Sequence, residues 1–162
     1  MMKVASNDGR AAEINSASWL LCRAGRLLAL PLESVVETMR LLPVEPLPGT
    51  PRFVAGLCVI RGKPVPVIDA ELLFGGRDTR AGRLVTMMIG DRLVALAVQD
   101  VLGVRLIDAD ALSELPPLLE EAAGDAVQAI RTLDGELLLM LSGARLVPDS
   151  VLESLTSTEA GS

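Results

Sequence analysis

The apolar residues of this chain occur in short runs, and this pattern restricts its fold more than any other feature. Each run is about four to seven residues long, and most runs end at turn residues such as glycine, proline or the pair Asp-Gly. A helix that buries one face needs apolar residues repeated over about 10 or more positions, and most of the sequence lacks such stretches. The pattern therefore predicts an all-β protein built as one large barrel or two small ones.

About ten strands are predicted from these runs, and turn residues join several of them into hairpins. Gly25, Arg61-Gly62, Gly90-Asp91 and Asp134-Gly135 lie between consecutive runs. Glycine and aspartate tolerate the positive φ angles of tight hairpin turns, so we expect a hairpin at each of these places. The predicted strands cover residues 19–23, 27–30, 35–41, 57–60, 63–68, 84–89, 93–98, 101–107, 127–133 and 137–141.

The connecting segments predict a few short elements. The connector 42–51 contains four prolines and is expected to be extended. Asp69 is a good N-cap for a short helix that stops at Gly75-Gly76. If there are two barrels, the chain is expected to pass between them at 42–51 and at the loop 75–83. The remaining predictions are a helical turn at 53–56, either a short helix or an acidic loop at 108–125, and a terminal helical turn at 150–155.

Composition argues against several functions. The net charge is -6 and only 2% of the residues are aromatic, so neither nucleic acid nor an anionic membrane surface is an expected partner. The longest apolar stretch, 53–60, is too short to cross a bilayer, and residues 1–16 lack the apolar core of a secretory signal. A cytoplasmic location is therefore expected. Cys22 and Cys58 lie inside apolar runs and are expected to be buried free thiols.

Candidate catalytic groups are few, because the chain has no histidine, the commonest general base and metal ligand. Asp69 and Glu71 could form an acid and base pair, but a helix cap beside a solvated charge is the favoured interpretation. The loop GGRDTRAGR at 75–83 could hold an anion, and a surface loop is favoured. The acidic section 108–136 is interpreted as a solvated face. We therefore predict no enzymatic activity, no metal and no cofactor.

One stretch of the sequence resembles a known family. Residues 53–69 read FVAGLCVIRGKPVPVID, in which a glycine, an apolar strand, an Arg-Gly turn and Pro-Val-Ile-Asp follow one another. This order is similar to the signature of CheW-like domains. Further similarities to the family lie at 27–32, Val36-Glu37, 48–51 and 98–101. The resemblance covers roughly residues 18–148.

This resemblance implies a fold of two five-stranded SH3-like β-barrels packed side by side, with short helical turns and a short C-terminal helix. The expected organisation is a flexible tail at 1–16, a CheW-like domain at 17–150 and a helical turn with a frayed tail at 151–162. The implied function is that of a non-enzymatic adaptor that couples chemoreceptors to a CheA-type histidine kinase. The receptor's cytoplasmic tip would bind in a groove between the barrels, and the kinase's CheW-like regulatory domain would bind another face. Such a protein would be recruited to a larger signalling array at the membrane.

The resemblance also implies site residues. Arg61-Gly62 falls on the family's Arg-Gly turn, which is implicated in receptor coupling, and Glu37 falls on its acidic partner position. We predict that a Glu37–Arg61 ion pair spans two neighbouring strands and fixes the shape of the groove, while Gly62 supplies the positive φ of the turn. Pro64 and Pro66 are expected at edge or bulge positions. Further candidates for a partner interface are Val36, Val98 and Val101.

Several positions depart from the family pattern and support alternatives. Val59-Ile60 stands where the family usually has Asn-Leu, Gln99 where it has aspartate, and Ala70 where it has leucine. One alternative is a divergent CheW-like interaction module of another chemosensory pathway that controls pili, surface behaviour or a second messenger. Another is a ligand-binding regulatory β-barrel, which a deep closed pocket would favour.

Overall fold

The structure is a computed structural model that describes residues 16–77, 80–108, 113–114, 126–143, 146–147, 151 and 153. Most of these residues lie in β-strands, a short α-helix interrupts them, and Val151 and Glu153 of the predicted terminal helical turn are also helical. The predicted tail at 1–16, except Ser16, and most of 108–125 and 150–162 lie outside the described residues. The elements are β1 Ser16–Ala24, β2 Arg26–Pro31, a 3-10 turn Leu32–Ser34, β3 Val35–Arg40, β4 Val54–Ile60, β5 Lys63–Asp69, α1 Ala70–Leu73, β6 Arg83–Ile89, β7 Arg92–Val98, β8 Asp100–Asp108, β9 Ser113–Glu114, β10 Val127–Leu133 and β11 Glu136–Leu141.

The strands form two separate sheets. One has the order β8-β1-β2-β11-β10-β9, in which β9 has only two residues, and the other has the order β3-β6-β7-β5-β4. Each sheet therefore has five long strands, and no ladder joins its two edges within the part of the chain that is described. This arrangement confirms the predicted all-β fold with two SH3-like units, each of which is an open barrel.

The two sheets share one topology. The antiparallel hairpins β1–β2 and β6–β7 correspond, as do β10–β11 and β4–β5, and in each sheet a parallel pair joins the two hairpins. The remaining edge strands, β8 and β3, follow the last strand of the hairpin in the opposite sheet. After β2 the chain enters the five-stranded sheet as β3, and after β7 it enters the six-stranded sheet as β8. Each barrel is therefore completed by a strand that follows a strand of the other barrel.

The crossovers lie at places that differ from the predicted ones. The chain passes between the sheets at the 3-10 turn Leu32–Ser34 and at Gln99, whereas 42–51 and 75–83 connect strands within the five-stranded sheet. The prediction was wrong because proline content and length report an extended segment but not which sheet its ends join. Gln99 is held on the β1–β2 turn, since its side-chain oxygen accepts from the Gly25 N–H and its own N–H donates to the Arg23 carbonyl at 2.7 Å.

Both hairpin turns in the β4–β5 and β10–β11 pairs have the predicted geometry. Arg61 and Gly62 have φ of 52° and 79°, and Asp134 and Gly135 have the same two values. Two consecutive positive φ angles define the type I′ turn, whose twist matches that of the strands it joins. The role assigned to Gly62 as the source of a positive φ agrees with this conformation.

Strand β4 begins earlier than predicted, and the reason lies at Gly56. The expected helical turn at 53–56 is wrong, because Val54 already pairs with Ile68 and a β-bulge follows between Val54 and Gly56. Gly56 has φ of 142°, and a Cβ added there would lie 2.0 Å from the Glu45 carbonyl oxygen. That oxygen accepts a 2.9 Å bond from the Leu57 N–H, so the proline-rich connector lies directly against β4.

The two prolines of β5 lie in the first half of the strand, where it pairs with a neighbour on one side only. Pro64 and Pro66 pair with β4 on one side, but the parallel ladder to β7 begins only at Val67. Proline cannot donate to a ladder, and here β5 has one neighbouring strand instead of two. This position agrees with the predicted edge placement.

Three buried clusters explain the continuous apolar runs of the central strands. The largest cluster takes Leu28 and Leu30 from β2 and Leu96 from β7, so it lies between the two sheets. The residues that alternate with these point to the opposite face of each strand. Leu27 and Ala29 of β2 belong to a second cluster, in the barrel of the six-stranded sheet, and two alanines of β7 belong to a third, in the barrel of the five-stranded sheet. Strands that are buried on both faces lack polar alternation.

No helix among the described residues is long and apolar enough to cross a membrane.

We expect Gly56→Ala to lower the free energy of unfolding by more than about 2 kcal/mol, because alanine resists this φ and its Cβ would clash with backbone. Urea denaturation measures the change. Gly82→Ala is the matched control, since its φ is not positive and the nearest atom to an added Cβ is 3.4 Å away. Equal stability of the two variants would contradict this account.

Both thiols are free and buried, as predicted, and we expect them to be unreactive in the native protein. Burial, with a smaller contribution from Asp100, raises the pKa of Cys22 to about 12, and burial raises the pKa of Cys58. Because the thiolate is the reactive form, a disulfide reagent at pH 8 should modify neither cysteine without denaturant and both in urea. Rapid labelling of Cys22 in the folded chain would show that this burial is wrong.

Candidate functional site

The central feature of the candidate site is the ion pair between Glu37 of β3 and Arg61 in the β4–β5 turn. Both guanidinium nitrogens donate to the carboxylate: Nη1 to Oε2, and Nη2 to Oε1 at 3.1 Å. The Arg61 side chain is 73% exposed and that of Glu37 is 30% exposed. The predicted pairing of these two residues is confirmed.

The strands that carry the pair are not the neighbours that were predicted. β3 and β4 are opposite edges of the five-stranded sheet, with three strands between them in the hydrogen-bonding order. The ion pair therefore links the two edges of an open barrel. The prediction missed this because motif positions show which residues match the family, while the distance between them depends on how the sheet curves.

A β-bulge in β3 sets the direction of Glu37. Val35 pairs with Met87 and Glu37 with Thr86, so Val36 is the extra residue. The Thr86 hydroxyl bonds both backbone groups of Glu37, accepting from its N–H and donating to its carbonyl, each at 3.2 Å. As a result Val36 and Glu37, although consecutive, line one groove.

This groove has a volume of about 510 Å³ and combines an apolar floor with charged rims. Its residues come only from the five-stranded sheet and its turns, which corrects the expectation of a groove between the two barrels. Arg61, Lys63 and Asp91 are exposed at its mouth. The lining residues are Val36, Glu37, Ile60, Arg61, Lys63, Pro64, Val65, Pro66, Asp91, Arg92, Leu93 and Val94.

The three valines predicted at a partner interface lie in different environments. Val36 is 53% exposed beside the ion pair, whereas Val98 is 1% exposed and belongs to the core between the sheets. Val101 is half-buried and packs against that core. We therefore correct the prediction for Val98, which shares the inward face of β7 with Val94 and Leu96 and offers no surface to a partner.

Two groups near this site were missed from the sequence. Val59 is 67% exposed two residues before Arg61, but it alternates with the buried Ile60 and is not among the residues that line the groove. The second is Thr86, which is 1% exposed and has apolar residues on both sides of it in β6. A single buried hydroxyl in such a strand indicates a specific hydrogen-bond partner, although the sequence does not say which one.

Asp69 and Glu71 each have a role in the structure, and they do not form an acid and base pair. Asp69 caps α1, as predicted, by accepting from the Leu72 N–H at 3.0 Å. Glu71 is not a solvated charge, because it is 8% exposed, packs against Gly25 and Gly76 and accepts a 3.3 Å bond from Arg80. This contact also uses one arginine of the loop 75–83. Among the described residues, no group of three acidic or cysteine side chains could hold a metal ion.

A second bidentate ion pair lies in the six-stranded sheet. Arg23 of β1 donates to both carboxylate oxygens of Glu136, at 2.6 and 3.0 Å, at the start of β11. The hydrogen bonds from Arg23, more than its charge, lower the pKa of Glu136.

We expect Asp69→Asn and Glu136→Gln to change the pH dependence of stability in opposite directions. Burial raises the pKa of Asp69 above 3.8, partly offset by the capping hydrogen bonds. The stability of the native protein relative to Asp69→Asn, which can still cap, should therefore fall as the pH rises from 3.8 through the raised pKa. The advantage of the native protein over Glu136→Gln should be present above pH 4.5 and be lost as the pH falls through the lowered pKa.

Urea unfolding of the native chain and both variants, at several pH values between about 3 and 7, measures these differences. Parallel curves for the native chain and Asp69→Asn would contradict the assignment of the raised pKa to Asp69.

Comparison with known proteins agrees with the fold described above. A model of the CheW-like domain matches residues 18–151. Protein FrzA of Myxococcus xanthus is 31% identical over 152 residues, which cover 89% of this chain and 94% of FrzA. The crystal structure of the scaffolding protein TtCheW from Thermoanaerobacter tengcongensis has a TM-score of 0.65 and 24% identity, and the match covers 78% of this chain and 88% of TtCheW. The chain therefore belongs to the CheW-like domain family, whose members are non-enzymatic scaffold proteins.

Proposed function

We propose that this chain is an adaptor that couples chemoreceptors to a CheA-type histidine kinase, and that the groove beside the Glu37–Arg61 pair binds the cytoplasmic tip of the receptor. The observation that carries the proposal is the exposed, bidentate ion pair at the mouth of an apolar groove. Membership of the scaffold family supports the wider function, and the position of Arg61 on the family's Arg-Gly turn supports this use of the groove.

The exposure of the ion pair favours a role in binding over one in stability. Ion pairs in contact with water contribute about 0 to 1 kcal/mol to folding. Arg61 is 73% exposed, so the fold depends little on this contact. A bidentate pair does, however, fix the positions of both side chains, and a preformed surface loses less entropy when a partner binds.

The shape of the groove favours a macromolecular partner over a small ligand. Arg61, Lys63 and Pro64 are all exposed along it, so the groove opens to solvent and is not a closed pocket. Apolar residues flanked by charged rims are typical of surfaces that take a helix or a hairpin of another protein. This observation supports the adaptor over the ligand-binding barrel.

An adaptor needs a second face for the kinase, and we assign it to β8. Leu102, Val104 and Leu106 are 48%, 54% and 70% exposed along this strand. Within the described residues β8 pairs only with β1, so it is an edge of the six-stranded sheet. Exposed aliphatic side chains in a row on an edge strand mark a protein interaction surface. Because β8 and the groove belong to different sheets, both partners could bind together.

The test is calorimetric titration of the full chain with a receptor-tip fragment and, separately, with the regulatory domain of the kinase. Arg61→Ala should weaken binding of the receptor fragment about tenfold and leave kinase binding unchanged. Leu106→Glu should weaken only kinase binding. Arg26→Ala, an exposed arginine on the β1–β2 hairpin, is the matched control and should change neither affinity.

Stability separates loss of binding from loss of fold in this experiment. The free energy of unfolding of Arg61→Ala should stay within about 1 kcal/mol of the native value. If the native chain binds neither partner at high micromolar concentration, the proposed function is wrong. If Arg61→Ala weakens both partners equally, the assignment of separate faces is wrong.

A further inference from the structure

We propose that Thr86 is the positioning residue of this site: its hydroxyl holds the bulge in β3 that turns Glu37 toward Arg61. The effect on receptor binding rests on the function proposed above, whereas the effect on Glu37 does not. Thr86 acts through Glu37, because it is 1% exposed and therefore out of reach of a partner.

The bulge places two consecutive side chains on the same side of β3. Successive residues of a regular strand point to opposite faces, so Val36 and Glu37 would lie on different sides of β3. The register shift between Val35 and Glu37 adds one residue to β3 against β6, and both side chains then line the groove. Bulges redirect side chains in this way, at the expense of regular ladder hydrogen bonds.

The Thr86 hydroxyl supplies the bonds that the bulge disturbs. Its Oγ1 accepts from the Glu37 N–H and donates to the Glu37 carbonyl, both at 3.2 Å. A hydroxyl is suited to this position because it can donate and accept at once. Thr86 is one of three buried polar or charged residues among those described, and the other two, Asp69 and Glu71, belong to the α1 region.

The contacts form a continuous path from the core to the surface. Thr86 fixes the backbone of Glu37, and the carboxylate of Glu37 accepts both nitrogens of Arg61. Val36, 53% exposed, is the residue displaced outward at the same bulge. Removing the hydroxyl should therefore free Glu37 while leaving the apolar core filled.

The test compares Thr86→Val, which keeps the volume but loses the hydroxyl, with Thr86→Ser, which keeps the hydroxyl. Native-state hydrogen exchange followed by NMR on the full chain reports on the Glu37 amide directly and needs no partner. In Thr86→Val this amide should exchange about tenfold faster relative to the amide of Leu28, a fully buried residue of the six-stranded sheet, because its acceptor is gone. In Thr86→Ser the ratio should stay near the native value.

The binding arm uses the receptor-tip fragment. Thr86→Val should weaken it by a factor similar to that of Arg61→Ala, and the double variant should bind no more weakly than Arg61→Ala alone, since both changes remove the same ion pair. Binding of the kinase domain should not change. A role in overall stability alone would weaken binding of both partners and raise exchange at Leu28 as well.

The outcomes separate this inference from the proposed function. Equal exchange ratios at Glu37 in the valine and serine variants would overturn the role of Thr86. If the native chain binds the fragment through Arg61 but Thr86→Val binds equally well, the positioning role is also overturned. If the native chain does not bind the fragment, the proposed function fails, and the exchange ratios still decide whether Thr86 positions Glu37.

Discussion

Burial of both faces of the central strands is the constraint on which the rest of the structure depends. β2 places Leu28 and Leu30 in the core between the sheets and Leu27 and Ala29 in the core of its own barrel. Full burial of a leucine side chain contributes roughly 1.5 to 3 kcal/mol, so neither barrel could expose its shared face without a large loss of stability. The two crossovers between the sheets also contact this core, because Leu32 at the first crossover and Val98 and Val101 at the second pack in it or against it.

The candidate site lies where this packing ends. At the edges of the five-stranded sheet the ladder is incomplete, and three local backbone features occur there. They are the bulge at Val36, the positive φ of Arg61 and Gly62, and the close approach of Glu45 to Gly56. Two of these features involve a glycine, Gly56 and Gly62, and the bulge is bonded by the Thr86 hydroxyl of the neighbouring strand β6. The surface that we propose for receptor binding is therefore held by backbone geometry at the edges of this sheet, with the exposed ion pair at its mouth.

Much of the fold could be predicted because its signals are local. Hairpins at Arg61-Gly62 and Asp134-Gly135 follow from the φ preferences of glycine and from the apolar runs on both sides. The cap at Asp69 was also predictable, because a side-chain oxygen and the N–H three residues later interact within one turn. The expected helical turn at 53–56 was wrong because Gly56 lets the Glu45 segment approach its backbone, a contact that the local sequence does not show.

The candidate site also has a part that the sequence predicted and a part that it did not. Glu37 and Arg61 were found by their match to a family motif, yet Val98 was misplaced and Thr86 was missed, because burial and hydrogen-bond partners are set by residues distant in the chain.

By itself the sequence determined the strands, their tight turns, the short helix and the absence of histidine chemistry, since these depend on residues within a few positions of one another. Only the tertiary structure decided where the chain crosses between the sheets, that the groove lies within one barrel, and that Glu37 meets Arg61 across opposite sheet edges. Those features depend on the pairing and curvature of strands far apart in sequence, which no local pattern encodes.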